Sequence, residues 1–220
     1  TGTGGVNFVG AKDGHILTSL SGVNSLGDMS INKSVGNVYI DGDSVTVKTS
    51  VDFQNGNIIT NGKVFYMLKN VAYVTEPSNS SFVQGFACKE MINGDDFDFP
   101  VGDNSLYAPA IVNSSSEGDW CAAFYDVNPS DDGFNVLSIK SETDQIEDVS
   151  DRGYWTIIGA ANTVVTSPTA FGGVGLTWPY GTDPFDTPGD AVVAEWDDVA
   201  GEWYNKGGSY SPTVLTSENN

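Results

Sequence analysis

Between about Ile31 and Val74 the chain offers extended runs of only three to five residues, each cut off by a Gly, Asn or Asp turn. The runs are Val38–Ile40, Val45–Val47, Val51–Phe53, Ile58–Thr60, Val64–Leu68 and Val71–Val74. Asp41-Gly42-Asp43, Asn55-Gly56-Asn57 and Asn61-Gly62 stand between them. Such strands are too short for an ordinary sandwich. They fit the sides of a β-solenoid, in which each rung turns at a small or polar residue and stacks on its neighbour. A meander of tight Asn-Gly hairpins is the alternative. Period alone does not separate the two; the solenoid is the expectation.

From Ser81 the runs lengthen. Ser81–Cys88, Ala108–Asn113, Trp120–Asp126, Phe134–Lys140, Tyr154–Ile158, Thr163–Thr166, Val174–Trp178, Ala191–Trp196 and Glu202–Asn205 lie 8–15 residues apart with turn signals between. That spacing predicts an antiparallel β-sandwich. The fold class is therefore all-β: a short N-terminal β-solenoid-like part followed by an antiparallel β-sandwich. Pro77-Ser78-Asn79-Ser80 marks the change, giving a short-strand region over 1–77, a sandwich over 78–212 and a polar tail over 213–220. Ser141–Val149 carries a weak capping box and reads as a loop or a single helical turn.

Nine Lys and Arg against 29 Asp and Glu leave a net charge of −20. Nucleic acids and anionic membrane surfaces both call for a basic footprint, so neither is expected as a partner. No apolar run approaches the 18 or so residues needed to cross a bilayer, so membrane insertion is not expected. The first residues lack the basic and apolar regions of a signal peptide. Their missing Met suggests a processed chain or a piece of a longer one. His15 is the single histidine. A Ser/His/Asp or Cys/His catalytic set would need it as the base. The 29 acids offer many carboxylate pairs and mark none of them, so no enzymatic activity is expected.

Cys88 and Cys121 would close a loop of about 30 residues as a disulfide, worth roughly 3–4 kcal/mol in the chain-entropy model; two buried thiols are the alternative. The disulfide is expected because other features point outside the cell. Closely spaced oxygens between Asp126 and Gly133 make Asp126, Asn128, Asp131 and Asp132 candidate calcium ligands. Leu137 stands where an EF-hand loop would carry its Glu. No cofactor other than calcium is implied. Trp178 and Tyr180, before a Pro/Asp-rich loop, are the aromatics best placed to stack on a glycan. Trp196 and Trp203 flank the acidic turn Asp197–Gly201 and should face each other across a hairpin.

Asp98–Ala110, DFPVGDNSLYAPA, resembles the FPVG…Y-x-P segment common in large secreted, adhesin-like surface proteins of Bacteroidetes. In those proteins the segment follows solenoid-like strands and an "fVnG" strand, which Ser81-Phe82-Val83-Gln84-Gly85 matches with Gln for Asn. Val149–Ile157 (VSDRGYWTI) and Ala194–Gly208, with Trp196 and Trp203, resemble two later segments in the same order. Ala108 departs from the basic residue usual between Tyr and Pro. The resemblance implies a β-rich extracellular or cell-surface location and an adhesive or scaffolding role, and supplies no catalytic residues. It also implies that Ser44, in Asp43-Ser44-Val45, is an O-glycan acceptor.

Two functions are thus expected. One is a non-catalytic structural or adhesive surface module that associates with itself or with other surface proteins, assembling into a fibre or array. The other is a carbohydrate-binding module using exposed aromatics.

Overall fold

The structure, a computed structural model, describes residues 4–16, 24–140, 146–159, 171–179, 191–211 and 214–216. Among them the regular elements are strands and one 3-10 turn. Three parallel ladders climb the first part of the chain. The first joins β1 (Val6–Gly10), the latter half of β3 (Asn24–Lys33), the latter half of β5 (Val45–Asn55) and β7 (Ala72–Thr75). Val6, Met29, Val51 and Tyr73 stand in register along it. The second joins β2 (Gly14–Ile16), β4 (Val38–Ile40), the starts of β6 (Ile58–Met67) and β8 (Val83–Met91), and β10 (Val101–Asp103). Gly14, Val38, Ile58, Val83 and Val101 align there. The third aligns Leu26, Val47, Met67 and Lys89. This is a β-solenoid of about four turns. The parallel pairing excludes the hairpin meander.

Several short runs of the sequence merge. Val45–Val47 and Val51–Phe53 both belong to β5, which pairs with β3 on either side of the exposed Lys48 and Thr49, with a register shift between. Alternation sends one residue in two inward. Met29, Ile31, Val38, Ile40, Val45, Val47, Val51, Phe53, Ile58, Phe65, Met67 and Val83 are buried in one cluster that continues to Phe124. Full burial of each such side chain is worth about 1.5–3 kcal/mol. Lys89 takes an inward place in the third ladder. Its ammonium donates to the carbonyls of Leu68 (3.2 Å) and Lys69 (2.9 Å) and lies 4.6 Å from the Phe97 ring centroid. Burial lowers its pKa.

The corner before the second ladder has its own polar stack. Asp13 Oδ1 accepts from Asn37 N (2.8 Å), Asn37 Oδ1 from Asn57 N (2.9 Å), and Asn57 Oδ1 from Phe82 N (3.2 Å). Corner amides that the strands leave unpaired are thus satisfied one rung at a time. Gly56 sits beside this stack at φ +90°, and a Cβ there would lie 2.8 Å from Gly36 O.

The coil ends by reversing. After β9 (Asp96–Phe99) and β10 the chain turns at Asn104 (φ +55°) into β11 (Leu106–Tyr107), antiparallel to β10. β12 (Ala110–Ser114) then runs antiparallel to β9, and β13 (Gly118–Tyr125) antiparallel to β8. The second ladder is thus met at β10 by β11 running back, and the third at β8 by β13. Gly102 makes this possible: a Cβ there would lie 2.3 Å from Leu106 O.

Antiparallel pairing continues with β14 (Tyr154–Ile158) on β13, β15 (Phe171–Leu176) on β12, the hairpin of β16 (Ala194–Asp197) and β17 (Glu202–Asn205), and β18 (Ser209–Ser211) with β19 (Val214–Thr216) beside β15.

The chain is all-β, with a solenoid first and antiparallel sheets after it. The parallel ladder nevertheless runs past the change of composition at residues 75–81, since β8 stacks in register on β6. Phe134–Lys140 alternates well but forms no strand. Asn135 and Ser130 side chains accept from the Leu137 and Val136 amides and hold it as a loop, with only Ile139 bridging to Trp203. Val214–Thr216, expected in a polar tail, forms β19. The expected strand Thr163–Thr166 lies outside the described residues.

Candidate functional site

Acidic residues and aromatics meet where β13 ends. Asp126, Val127 and Asn128 lead from it into a 3-10 turn, Pro129–Asp132. Pro129 presets the turn, Asn128 Oδ1 caps it by accepting from Ser130 N (2.8 Å), and Gly133 closes it at φ +96°. Asp132 then points at β14, where its carboxylate accepts from the Tyr154 hydroxyl (2.7 Å). Tyr154 lies opposite Tyr125 on β13, and the rings stack with centroids 5.0 Å apart. Phe134 meets Tyr154 edge-on at 5.2 Å and Trp196 at 5.8 Å; Trp196 meets Trp203 at 5.4 Å. The result is a row: Tyr125, Tyr154, Phe134, Trp196, Trp203. Trp203 is buried, donating through Nε1 to Asn135 O, and the other four are half-buried.

Burial, then the carboxylates of Asp132 and Asp103, push the Tyr125 phenol up. Burial and its bond to Asp132 push Tyr154 further. Both phenols are protonated donors at neutral pH. The Glu195 carboxyl, beside Trp196, is raised by burial against the opposing pull of Lys206, whose Nζ is 3.0 Å away.

The four expected calcium ligands have separate roles. Asp126 belongs to the chain reversal: its amide donates to Asp103 Oδ2 (3.1 Å) and its carboxylate accepts from Asn104 Nδ2 (3.1 Å). Asn128 caps the 3-10 turn, Asp132 holds Tyr154, and Asp131 is exposed in the turn. Among the described residues no three His, Cys, Asp or Glu are grouped to hold a metal ion.

Trp178 is half-buried just past β15, and Tyr180 lies outside the described residues. Ser44 is exposed at a solenoid corner, its Oγ accepting from Val64 N (3.2 Å). Cys88 and Cys121 are bonded, directly opposite on β8 and β13 with Cα atoms 4.0 Å apart. Trp196 and Trp203 are paired across their hairpin. His15 Nδ1 is 2.5 Å from Asp41 Oδ2, and its ring stacks on Tyr39.

Sequence reasoning missed the row through Tyr125, Phe134 and Tyr154. Its only local trace is the aromatic ends of WCAAFYD and YW. Chemically, the row provides ring faces beside carboxylate and phenol groups, which is recognition chemistry for a polyhydroxylated ligand. Comparison of the chain with protein-family models, with curated proteins and with solved structures finds no match.

Proposed function

We propose that this chain is a non-catalytic extracellular structural or adhesive module of a cell surface, of the kind the Bacteroidetes resemblance implies. It associates with copies of itself or with other surface proteins. The observation that carries the reading is the architecture. The stacked parallel ladders are clamped by Cys88–Cys121, and among the described strands β7 is paired along one edge alone, with β5. Strand edges of this kind are templates for addition of another chain. The disulfide supports a location outside the reducing cytosol.

The experiment is sedimentation of the purified chain at low and high NaCl, with millimolar calcium and with chelator. Like-charged copies at −20 repel, and salt screens that repulsion over roughly 10 Å at 0.1 M. Association is expected to strengthen with salt and more sharply with calcium bridging exposed Asp clusters. A monomer under every condition would refute self-association.

The aromatic row favours a second reading, a carbohydrate-binding module. Neutral oligosaccharides titrated against tryptophan fluorescence would then give saturable binding that Trp196→Ala abolishes. A flat titration across a broad panel would remove this reading.

A further inference from the structure

Asn-Gly occurs three times in the chain, as Asn55-Gly56, Asn61-Gly62 and Asn93-Gly94. In such a pair the glycine amide nitrogen can attack the Cγ of the asparagine and close a five-membered ring, since glycine has no side chain to hinder the approach. All three asparagines are exposed, so exposure does not separate them. What the fold does with each glycine amide does.

Two of the amides are engaged. Gly56 N donates to Ser80 O (2.8 Å) and Gly94 N to Ser114 O (2.7 Å). A nitrogen must shed its proton and turn toward Cγ before it attacks, and these two bonds oppose both. Gly56 is also hemmed in, with Lys33 Cβ 2.9 Å from where its own Cβ would lie. The Asn93 turn is closed from both sides, Asp95 N donating to Ile92 O (3.1 Å) and Ile92 N to Asp95 Oδ2 (3.0 Å). Gly62 is placed differently. β6 keeps register with β4 up to Ile59, with β5 from Phe65, and with β8 up to Ile59 and again from Val64. Thr60–Lys63 therefore bulge out of these ladders, and Gly62 has no register partner. A Cβ built on it would meet nothing within 4 Å. Asn61 itself sits at φ +51°, its side chain tethered by one exposed bond, Nδ2 to Asp41 Oδ1 (3.0 Å).

We propose that Asn61 is a site of spontaneous covalent modification, passing through a cyclic imide with Gly62 to aspartate and isoaspartate. Water or hydroxide takes the Gly62 amide proton, and the nitrogen bonds to Asn61 Cγ. The Cγ–Nδ2 bond breaks, and Nδ2 leaves with a proton as ammonia. Water then opens the imide at one of its two carbonyls. One opening gives aspartate; the other runs the main chain through Cβ and lengthens it by one carbon. In sum, one amide and one water become one carboxylate and one ammonium. The bulge accommodates the added carbon, because no ladder register runs through it. The new carboxylate replaces a donor to Asp41 with a like charge and takes the chain from −20 to −21. The inference is independent of the surface role proposed above.

Peptide mapping by mass spectrometry tests it, on the folded, oxidised chain held at mildly alkaline pH and 37 °C and sampled over weeks. The Asn61 peptide is expected to give two products of equal mass and different retention, the aspartyl and isoaspartyl forms. They should accumulate at least tenfold faster than the corresponding products at Asn55 or Asn93. The same chain, reduced and unfolded in guanidinium chloride, is expected to convert all three asparagines at similar rates, since the three glycine amides are then equally free. Anion exchange of the aged folded chain should resolve a species carrying one more negative charge, and that fraction should hold the modified Asn61. Conversion at Asn55 or Asn93 as fast as at Asn61 in the folded chain would overturn the inference. So would an Asn61 that keeps its amide in the folded chain over the time in which the unfolded chain converts.

Discussion

Replacing Asn57 with Ala probes the corner stack directly. The side chain accepts from Phe82 N across the rung, in a part-buried position, while its own amide is held by Asn37 Oδ1. Alanine keeps the second bond and strands the Phe82 N–H. An amide left without its acceptor costs about 1–3 kcal/mol, and at 3.2 Å this bond belongs to the lower half, about 1.5 kcal/mol. For a chain of this size 1 kcal/mol shifts the melting temperature by about 2–4 °C, so a fall of about 3–6 °C is expected. Asn57→Asp keeps the acceptor oxygen and should stay within about 0.5 kcal/mol of wild type. Urea unfolding followed by far-UV circular dichroism measures both. If the Ala and Asp variants unfold at the same midpoint, the stack contributes nothing and the reasoning fails.

Replacing Cys88 and Cys121 with Ser should lower stability by about 3–4 kcal/mol, read by urea unfolding of the oxidised wild type against the variant; equal midpoints would mean the bridge only decorates strands already paired. Trp155 packs its ring on Phe124 and donates through Nε1 to Ala108 O (2.9 Å), so Trp155→Ala should cost about 3 kcal/mol. Retention of the melting temperature by that variant, with loss of ligand binding alone, would make Trp155 a contact residue instead. Burial raises the phenols of Tyr66, Tyr73, Tyr107, Tyr125 and Tyr154 above their ordinary value of 10.0. The native state then holds its protons more tightly than the unfolded chain. Their contribution is complete below about pH 10 and is lost as pH rises above it. Absorbance at 295 nm should show these five phenols ionising only with unfolding; their ionisation near pH 10 in the folded chain would contradict it.

The short β runs were legible because apolar residues alternate over them whatever their partners. Val38–Ile40, Tyr154–Ile158 and Glu202–Asn205 are strands with those very limits. Pairing was less legible, since a parallel ladder is made by residues about 20 apart, from 18 between Val83 and Val101 to 23 between Val6 and Met29. A trace did exist: Gly36-Asn37-Val38 with Asp41-Gly42 returns 20 residues later as Gly56-Asn57-Ile58 with Asn61-Gly62. That repeat is the corner stack itself. β3 went unread because NSLGDMSINK has apolar residues only at Leu26, Met29 and Ile31 among turn formers, and its neighbours on both sides make it a strand. The Asp126–Asp132 cluster is legible in the sequence only as a set of closely spaced oxygens. Closely spaced Asp and Asn side chains suit a cation, a cap or a turn equally well, and which one they serve depends on Tyr154 and Asn104, 22 residues away from Asp132 and Asp126 in sequence.

The position of the disulfide has a mechanical consequence. A load applied to the start of the chain meets the parallel rungs across their strands, so they peel away one after another. Peeling stops at Cys88, because tension passes through sulfur to Cys121 and skips everything between. The 33-residue span so bypassed contains the reversal and the buried Phe99, Val101 and Trp120. At about 3.3–3.6 Å per residue, roughly 110 Å of contour length is withheld from stretching for as long as the bond survives.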